Sequence, residues 1–105
     1  MVIIETSIFT RQVQSLLTDD EYGLLQMALT NRPDLRPIIR GSGGLRKVRW
    51  SLPGRGKRSG VRTIYYWAVG TDQILMLLMY AKNENDDLTP DQLKVLRKII
   101  KEEYP

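Results

Sequence analysis

The chain has 105 residues, of which 42% are hydrophobic and 27% charged, and its net charge is +4 at pH 7. This size predicts one globular domain spanning residues 1–105, with room for a single modest core. The sequence contains neither cysteine nor histidine. Disulfides and thiol catalysis are therefore excluded, and the commonest general base and zinc ligand are missing.

The first third of the chain predicts one strand followed by two helices. Residues 2–4 form a short β-branched run, which is typical of a strand. Ser7 is placed to cap a first helix whose apolar residues share one face. Thr18 and Glu21 have the spacing of a capping box, so a second helix is expected to begin there and to end before Pro33. The two helices should form an antiparallel hairpin that packs on a sheet as scaffold.

The rest of the chain predicts a loop, three strands and a helix. The strands are expected at residues 45–52, 61–69 and 73–82. The first alternates, so that Lys47 and Arg49 oppose its apolar side chains, and the last is apolar on both faces and hence central. Thr89 and Pro90 mark the start of a final helix. The order β-α-α-β-β-β-α predicts an α+β fold, with the helical hairpin and the C-terminal helix packed on a twisted, mostly antiparallel four-stranded sheet.

Residues 40–62 (RGSGGLRKVRWSLPGRGKRSGVR) concentrate the positive charge of the protein. They contain eight of the sixteen Lys and Arg residues, and no Asp or Glu occurs from residue 37 to residue 71. Such a segment is expected to stay out of the core, because an unpaired buried cation is costly. A polyanion is the expected partner, with an ordinary solvated loop as the alternative. Arg62 differs, since its place within an apolar strand favours a functional role.

Elimination narrows the chemistry to this basic region. The acidic residues Glu84, Asp86 and Asp87 are explained more simply by the dipole of the final helix than by a metal site. Phosphate-loop and serine-triad patterns are absent. A cationic groove with aromatic neighbours can bind RNA without chemistry, or it can cleave RNA with arginine stabilising the phosphorane and a lysine of lowered pKa moving protons. From the residues alone these two functions stay level, and a surface that only docks a partner protein is a third. No cofactor or metal is expected.

Three motifs in order resemble one toxin family. GSGGLRKVRW (41–50), GRGKRSGVRTIYYW (54–67) and LLMYAKNENDDL (77–88) are together similar to the RelE superfamily, and most of all to its HigB-type branch. The resemblance covers nearly the whole chain. It implies a small α+β toxin of a type II toxin–antitoxin system that enters the ribosomal A site, cleaves translated mRNA by metal-independent attack of a 2′-hydroxyl, and so inhibits translation.

The resemblance also implies roles for individual residues. Arg62 falls on the arginine that stabilises phosphate and transition state. Lys57 is the candidate acid–base or second stabiliser. The end of the last strand is expected to bring the catalytic candidates Tyr80 and Lys82 beside Arg62, with Lys82 as a further phosphate ligand or general acid. RNA and ribosome binding would fall to Arg46, Lys47, Arg49, Arg55 and Arg58. The tyrosine that many relatives carry near the start of the last helix is missing, and Tyr80 or Glu84 would have to replace it.

The partners implied by the resemblance are the ribosome with its mRNA and a cognate antitoxin. The antitoxin is expected to carry a helix-turn-helix DNA-binding module, so that operator DNA is contacted through it alone. The longest apolar run, residues 74–81, is too short to span a bilayer, and a cytoplasmic location is expected. The alternative from another class is a non-catalytic RNA- or ribosome-binding module that blocks translation.

Overall fold

A computed structural model describes residues 1–52, 60–81 and 87–105. In chain order the elements are β1 (Val2–Glu5), α1 (Ser7–Leu16), α2 (Asp19–Asn31), β2 (Leu45–Ser51), β3 (Gly60–Ala68), a single 3-10 turn (Val69–Thr71), β4 (Gln73–Ala81) and α3 (Pro90–Glu103). The predicted order and the α+β class are confirmed. Within the described ranges, no helix is long and apolar enough to cross a membrane.

The four strands form one mixed sheet in the order β1-β4-β3-β2. β1 runs parallel to β4, whereas the β4/β3 and β3/β2 pairs are antiparallel. The sheet is therefore mostly antiparallel, as predicted, and β4 is central, as its two apolar faces indicated. A parallel pair needs a long connection, and here α1, α2, β2 and β3 all lie between β1 and β4 in the chain.

Helices cover both faces of the sheet, and each face has its own core. The face under α1 and α2, here called the hairpin face, buries twelve side chains: Phe9, Val13, Leu17, Leu25, Leu29, Val48, Leu52, Val61, Tyr65, Ile74, Met76 and Met79. The opposite face, here called the α3 face, buries Leu45, Ile64, Leu75, Leu77, Leu96 and Ile100. Tyr66 also packs on the α3 face, where its ring lies 5.5 Å from that of Tyr104.

The helix starts follow the predicted caps with one exception. The capping boxes at Thr18 and Thr89 are both present. The expected cap at Ser7 is wrong, because Thr6 is the cap and its hydroxyl accepts from the Phe9 N–H. Strand pairing explains the difference: the Thr6 N–H bonds the Met76 carbonyl and its hydroxyl donates to that of Leu77. The chain therefore leaves the sheet at residue 6.

The expectation that residues 40–62 stay out of the core is wrong for half of their described side chains. Buried residues of this segment are Ser42, Leu45, Val48, Leu52, Val61 and Arg62. Strand alternation is the reason, since every second residue of β2 and β3 must face one of the two cores. A charge-rich segment can thus contribute alternate residues to the surface and to the core.

A glycine turn leads into β2 beneath α3. Gly43 and Gly44 have φ angles of 76° and 114°, and a Cβ on Gly44 would lie 2.7 Å from the Tyr66 ring. The buried Ser42 hydroxyl closes the turn by donating to the Ile39 carbonyl and accepting from the Leu45 N–H. The turn therefore fixes the point at which β2 enters the sheet, and with it the register of every cation that follows on β2.

Candidate functional site

Three neighbouring strands bring two arginines and a tyrosine into one row. Arg49 on β2 lies opposite Arg62 on β3, and Arg62 lies opposite Tyr80 on β4. Residues directly opposite on adjacent strands point to the same face, with Cβ atoms about 5 Å apart. Lys47, two residues before Arg49, shares that face, which is the α3 face. The row, together with Lys47, is called the cationic row below.

Arg62 is the buried member of the cationic row. Its side chain is 4% exposed, whereas Arg49 on the neighbouring strand is exposed and Tyr80 is half-buried. Burying a guanidinium costs free energy that must be offset by interactions with other groups. The sheet therefore holds Arg62 in a defined place beside the exposed Arg49.

A β-bulge decides which face Tyr80 occupies. Ile64 pairs with Leu78 but the next residue, Tyr65, pairs with Met76, so Leu77 has no opposite residue on β3. Leu77 and Leu78 both pack on the α3 face as a result. Without the extra residue, alternation from Met76 would turn Tyr80 to the hairpin face. The bulge therefore puts Tyr80 beside Arg62.

A carboxylate from outside the sheet meets the cationic row. The Asp87 carboxylate accepts a hydrogen bond from the Lys47 ammonium at 2.9 Å. This hydrogen bond and the Lys47 charge, with smaller contributions from Arg49 and Arg62, hold the pKa of Asp87 below its ordinary value against an opposing desolvation. Because the folded pKa is depressed, the pair persists at neutral pH and is lost as the pH falls through that lowered pKa.

The remaining predicted site residues divide into two groups. Arg46 lies on the hairpin face, where its guanidinium carbon stands 6.0 Å from the centre of the Trp67 ring and its N–H donates to the Arg36 carbonyl. Arg46 is therefore separated by the sheet from the cationic row. The other predicted residues lie outside the described part of the chain, namely Arg55, Lys57, Arg58 and Lys82.

The described residues of the cationic row are chemically suited to binding an anion. Within residues 1–52, 60–81 and 87–105, no group of three or more carboxylates could hold a metal ion. Lys47, Arg49 and Arg62 supply three positive charges on one face, and Tyr80 adds a phenol. Such a set can bind the oxygens of a phosphodiester and stabilise negative charge that develops on them.

The sequence analysis did not predict the contact of Asp87 with Lys47. Its position shortly before α3 suggested an interaction with the helix dipole, yet its carboxylate bonds a strand residue forty positions earlier. The sequence did contain a signal for this contact, namely a cation on β2 (Lys47) and an acid in the segment that follows β4 (Asp87). The pairing could not be chosen from it, because two other acids stand within three residues of Asp87.

The fold and the cationic row together define a small, basic α+β protein that gathers positive charge on one face of its sheet. A family model described as the RelE toxin of the RelE / RelB toxin–antitoxin system matches residues 3–104. The chain therefore belongs to the RelE toxin family, which implies a cognate antitoxin as its partner. The resemblance inferred from the three motifs is confirmed at the level of the family.

Proposed function

We propose that this protein is a ribosome-dependent mRNA endoribonuclease of the HigB type, which acts in the cytoplasm and inhibits translation by cutting mRNA in the ribosomal A site. The observation that carries the proposal is the burial of Arg62 in line with Arg49 and Tyr80. A buried guanidinium at the edge of a cationic surface is suited to a phosphate whose charge grows during the reaction.

The proposed reaction is an intramolecular displacement within the message. The ribose 2′-oxygen loses its proton and bonds to the adjacent phosphorus, while the bond to the 5′-oxygen breaks and that oxygen takes up a proton. Arg62 would stabilise the phosphorane, and Tyr80 would align the attacking hydroxyl or assist the transfer of protons. Lys57 and Lys82 are proposed for proton transfer or phosphate binding, with Arg55 and Arg58 on the RNA backbone.

Backbone binding by the described residues would fall chiefly to Lys47 and Arg49, which share a face with Arg62. Arg46 has less support for this role, because it stands on the hairpin face beside Trp67. The ribosome would position the message, which a site built mainly of cations does poorly on its own. The antitoxin is proposed to carry the helix-turn-helix module through which the pair reaches operator DNA.

The test is to induce the chain in a bacterium and to map the 5′ ends of a defined message. Wild type, Arg62→Ala, the volume-conserving Arg62→Met and the control Arg11→Ala, which removes an exposed cation from α1, are compared. We expect in-frame cuts with wild type and Arg11→Ala, and a loss of about 10²–10³-fold in both Arg62 variants. A copy of the message without its start codon should remain uncut.

Full cleavage by a folded Arg62→Met protein would reject the assignment of Arg62. Thermal melting of the purified variants separates a lost site from a lost fold. Cuts on the untranslated message would reject the dependence on the ribosome, because free RNA would then suffice.

One observation favours the non-catalytic alternative, a module that blocks the ribosome without cutting. Asp87 is the carboxylate at the cationic row within the described residues, and its lowered pKa makes it a weak proton acceptor. The sequence also lacks histidine. This alternative predicts growth arrest with no new 5′ ends in the same experiment.

A further inference from the structure

The Lys47–Asp87 pair resembles a ligand in its site more than an ordinary surface ion pair. The Lys47 side chain is 18% exposed and Arg62 is 4% exposed, whereas the Asp87 side chain is 85% exposed. The cations are thus held by the sheet, and the carboxylate approaches them from solvent. The distance of 2.9 Å is that of a charge-assisted hydrogen bond to a carboxylate or to a phosphate oxygen.

The residues that follow Asp87 are held in place by packing and by the cap of α3. Leu88 packs against the α3-face core, and Thr89 starts α3 with a complete capping box to Gln92. Asp87 itself stands two residues before the helix cap, outside the first turn, where the effect of the helix dipole has fallen off. Its contact with Lys47 therefore needs another explanation than stabilisation of α3.

Three cations act on this one carboxylate. The Lys47 ammonium binds it directly, and the charges of Arg49 and Arg62 also favour its ionised form. Those are the same three groups that would receive an RNA phosphate in the proposed function. A carboxylate and a phosphate both offer anionic oxygens, and one location cannot be occupied by both.

We infer that in the RNA-free protein the Asp87 carboxylate occupies the position of a backbone phosphate, and that RNA must displace it from Lys47 in order to bind. This inference rests on the proposed function, since it concerns the occupancy of the same site. Asp87 thereby acts as an internal competitor of RNA. It lowers the affinity of the protein for RNA and also reduces the dependence of that affinity on salt concentration. Because the Asp87 side chain is 85% exposed, solvent weakens the pair and a phosphate can replace the carboxylate.

The test uses an oligoribonucleotide in which every 2′-hydroxyl is methylated, so that it binds but cannot be cut. Its affinity for the full chain is measured over a series of salt concentrations, beginning at low salt. The variants are Asp87→Asn and the control Asp91→Asn, which removes the same charge from the first turn of α3. Thermal melting of each variant checks that the fold is retained.

We expect Asp87→Asn to bind about two- to fivefold more tightly, which is the range that an exposed ion pair allows. The slope of log affinity against log salt should steepen by about 0.7, because one more cation is neutralised by the nucleic acid rather than by the protein. Asp91→Asn should change both quantities less. In a Lys47→Gln background, Asp87→Asn should lose most of its effect.

Weaker or unchanged binding by Asp87→Asn would overturn the inference, because the carboxylate would then position Lys47 rather than compete with RNA. An equal gain in Asp91→Asn would also overturn it, since net charge alone would explain the result. The inference would also be overturned if the wild-type protein did not bind the methylated oligoribonucleotide at the lowest salt concentration. The proposed function is judged separately by the 5′ ends mapped in cells, so the two can fail independently.

Discussion

The two faces of the sheet use the same strands for different purposes. The hairpin face carries the larger of the two apolar cores and is covered by α1 and α2. The α3 face is apolar beneath α3 and cationic beyond it, where Arg49 and Arg62 lie. Strand β3 contributes to both, since Val61 is buried in the hairpin face and its neighbour Arg62 lies on the other.

This difference shows how a small domain can tolerate a buried arginine. Burying apolar surface contributes roughly 25 cal/mol per Å², so the continuous hairpin-face core supplies much of the stability. The end of the α3 face can then hold like charges near one another at a cost to stability. The comparison predicts that substitutions on the hairpin face lower the free energy of unfolding and leave the site intact. Substitutions in the cationic row should impair the site and change the free energy of unfolding less.

The largest expected effect is that of truncating Phe9, which is fully buried on the hairpin face with its ring 5.8 Å from that of Tyr22. Phe9→Ala should lower the free energy of unfolding by about 3–5 kcal/mol, measured by urea denaturation, because it removes apolar contacts and leaves a cavity. Its neighbour Ile8 is 49% exposed and provides the control. Ile8→Ala should cost far less, and equal losses in the two variants would contradict the placement of Phe9 in the hairpin-face core.

The sequence predicted most of the fold for identifiable reasons. The capping residues at Thr18 and Thr89, the alternation in β2 and the two-sided apolarity of β4 each reflect a local rule, and each was confirmed. The cap at Ser7 was predicted wrongly because a local rule competed with a long-range one. Pairing of Thr6 with β4 determines where α1 begins.

The candidate site was less predictable, since it depends on register. The apolar surroundings of Arg62 predicted a functional role from the sequence alone, and that role stays a prediction, whereas the burial of the side chain is observed. The separation of Arg46 from Lys47 follows from alternation, but their adjacency in a charged run concealed it. The bulge at Leu77 and the contact of Asp87 with Lys47 depend on which strands are neighbours, and the sequence pattern carries that information weakly.

An intermediate effect is expected at the glycine turn, where the α3 face depends on backbone geometry. Gly44→Ala should destabilise the protein by about 1–3 kcal/mol, because the new methyl group meets the Tyr66 ring and a φ of 114° is unfavourable for alanine. Gly23 in α2 is the control, since nothing lies within 4 Å of its added Cβ. Gly23→Ala should stabilise by about 0.5–1 kcal/mol in thermal or urea unfolding. A neutral Gly44→Ala would show that the turn does not hold β2 in register.

The smallest expected effect gives the sharpest contrast, because Arg46 and Arg49 are three residues apart on one strand yet face opposite sides of the sheet. Arg49→Gln should reduce the salt dependence of binding to the methylated oligoribonucleotide by about 0.7 in slope, since one phosphate contact is lost. Arg46→Gln should leave that slope unchanged and lower stability by about 0.5–1 kcal/mol through loss of its contact with Trp67. Equal slopes in the two variants would mean that RNA responds to the total charge of β2. A lower slope for Arg49→Gln alone would mean that the face of the sheet, rather than the charge of the segment, defines the binding surface.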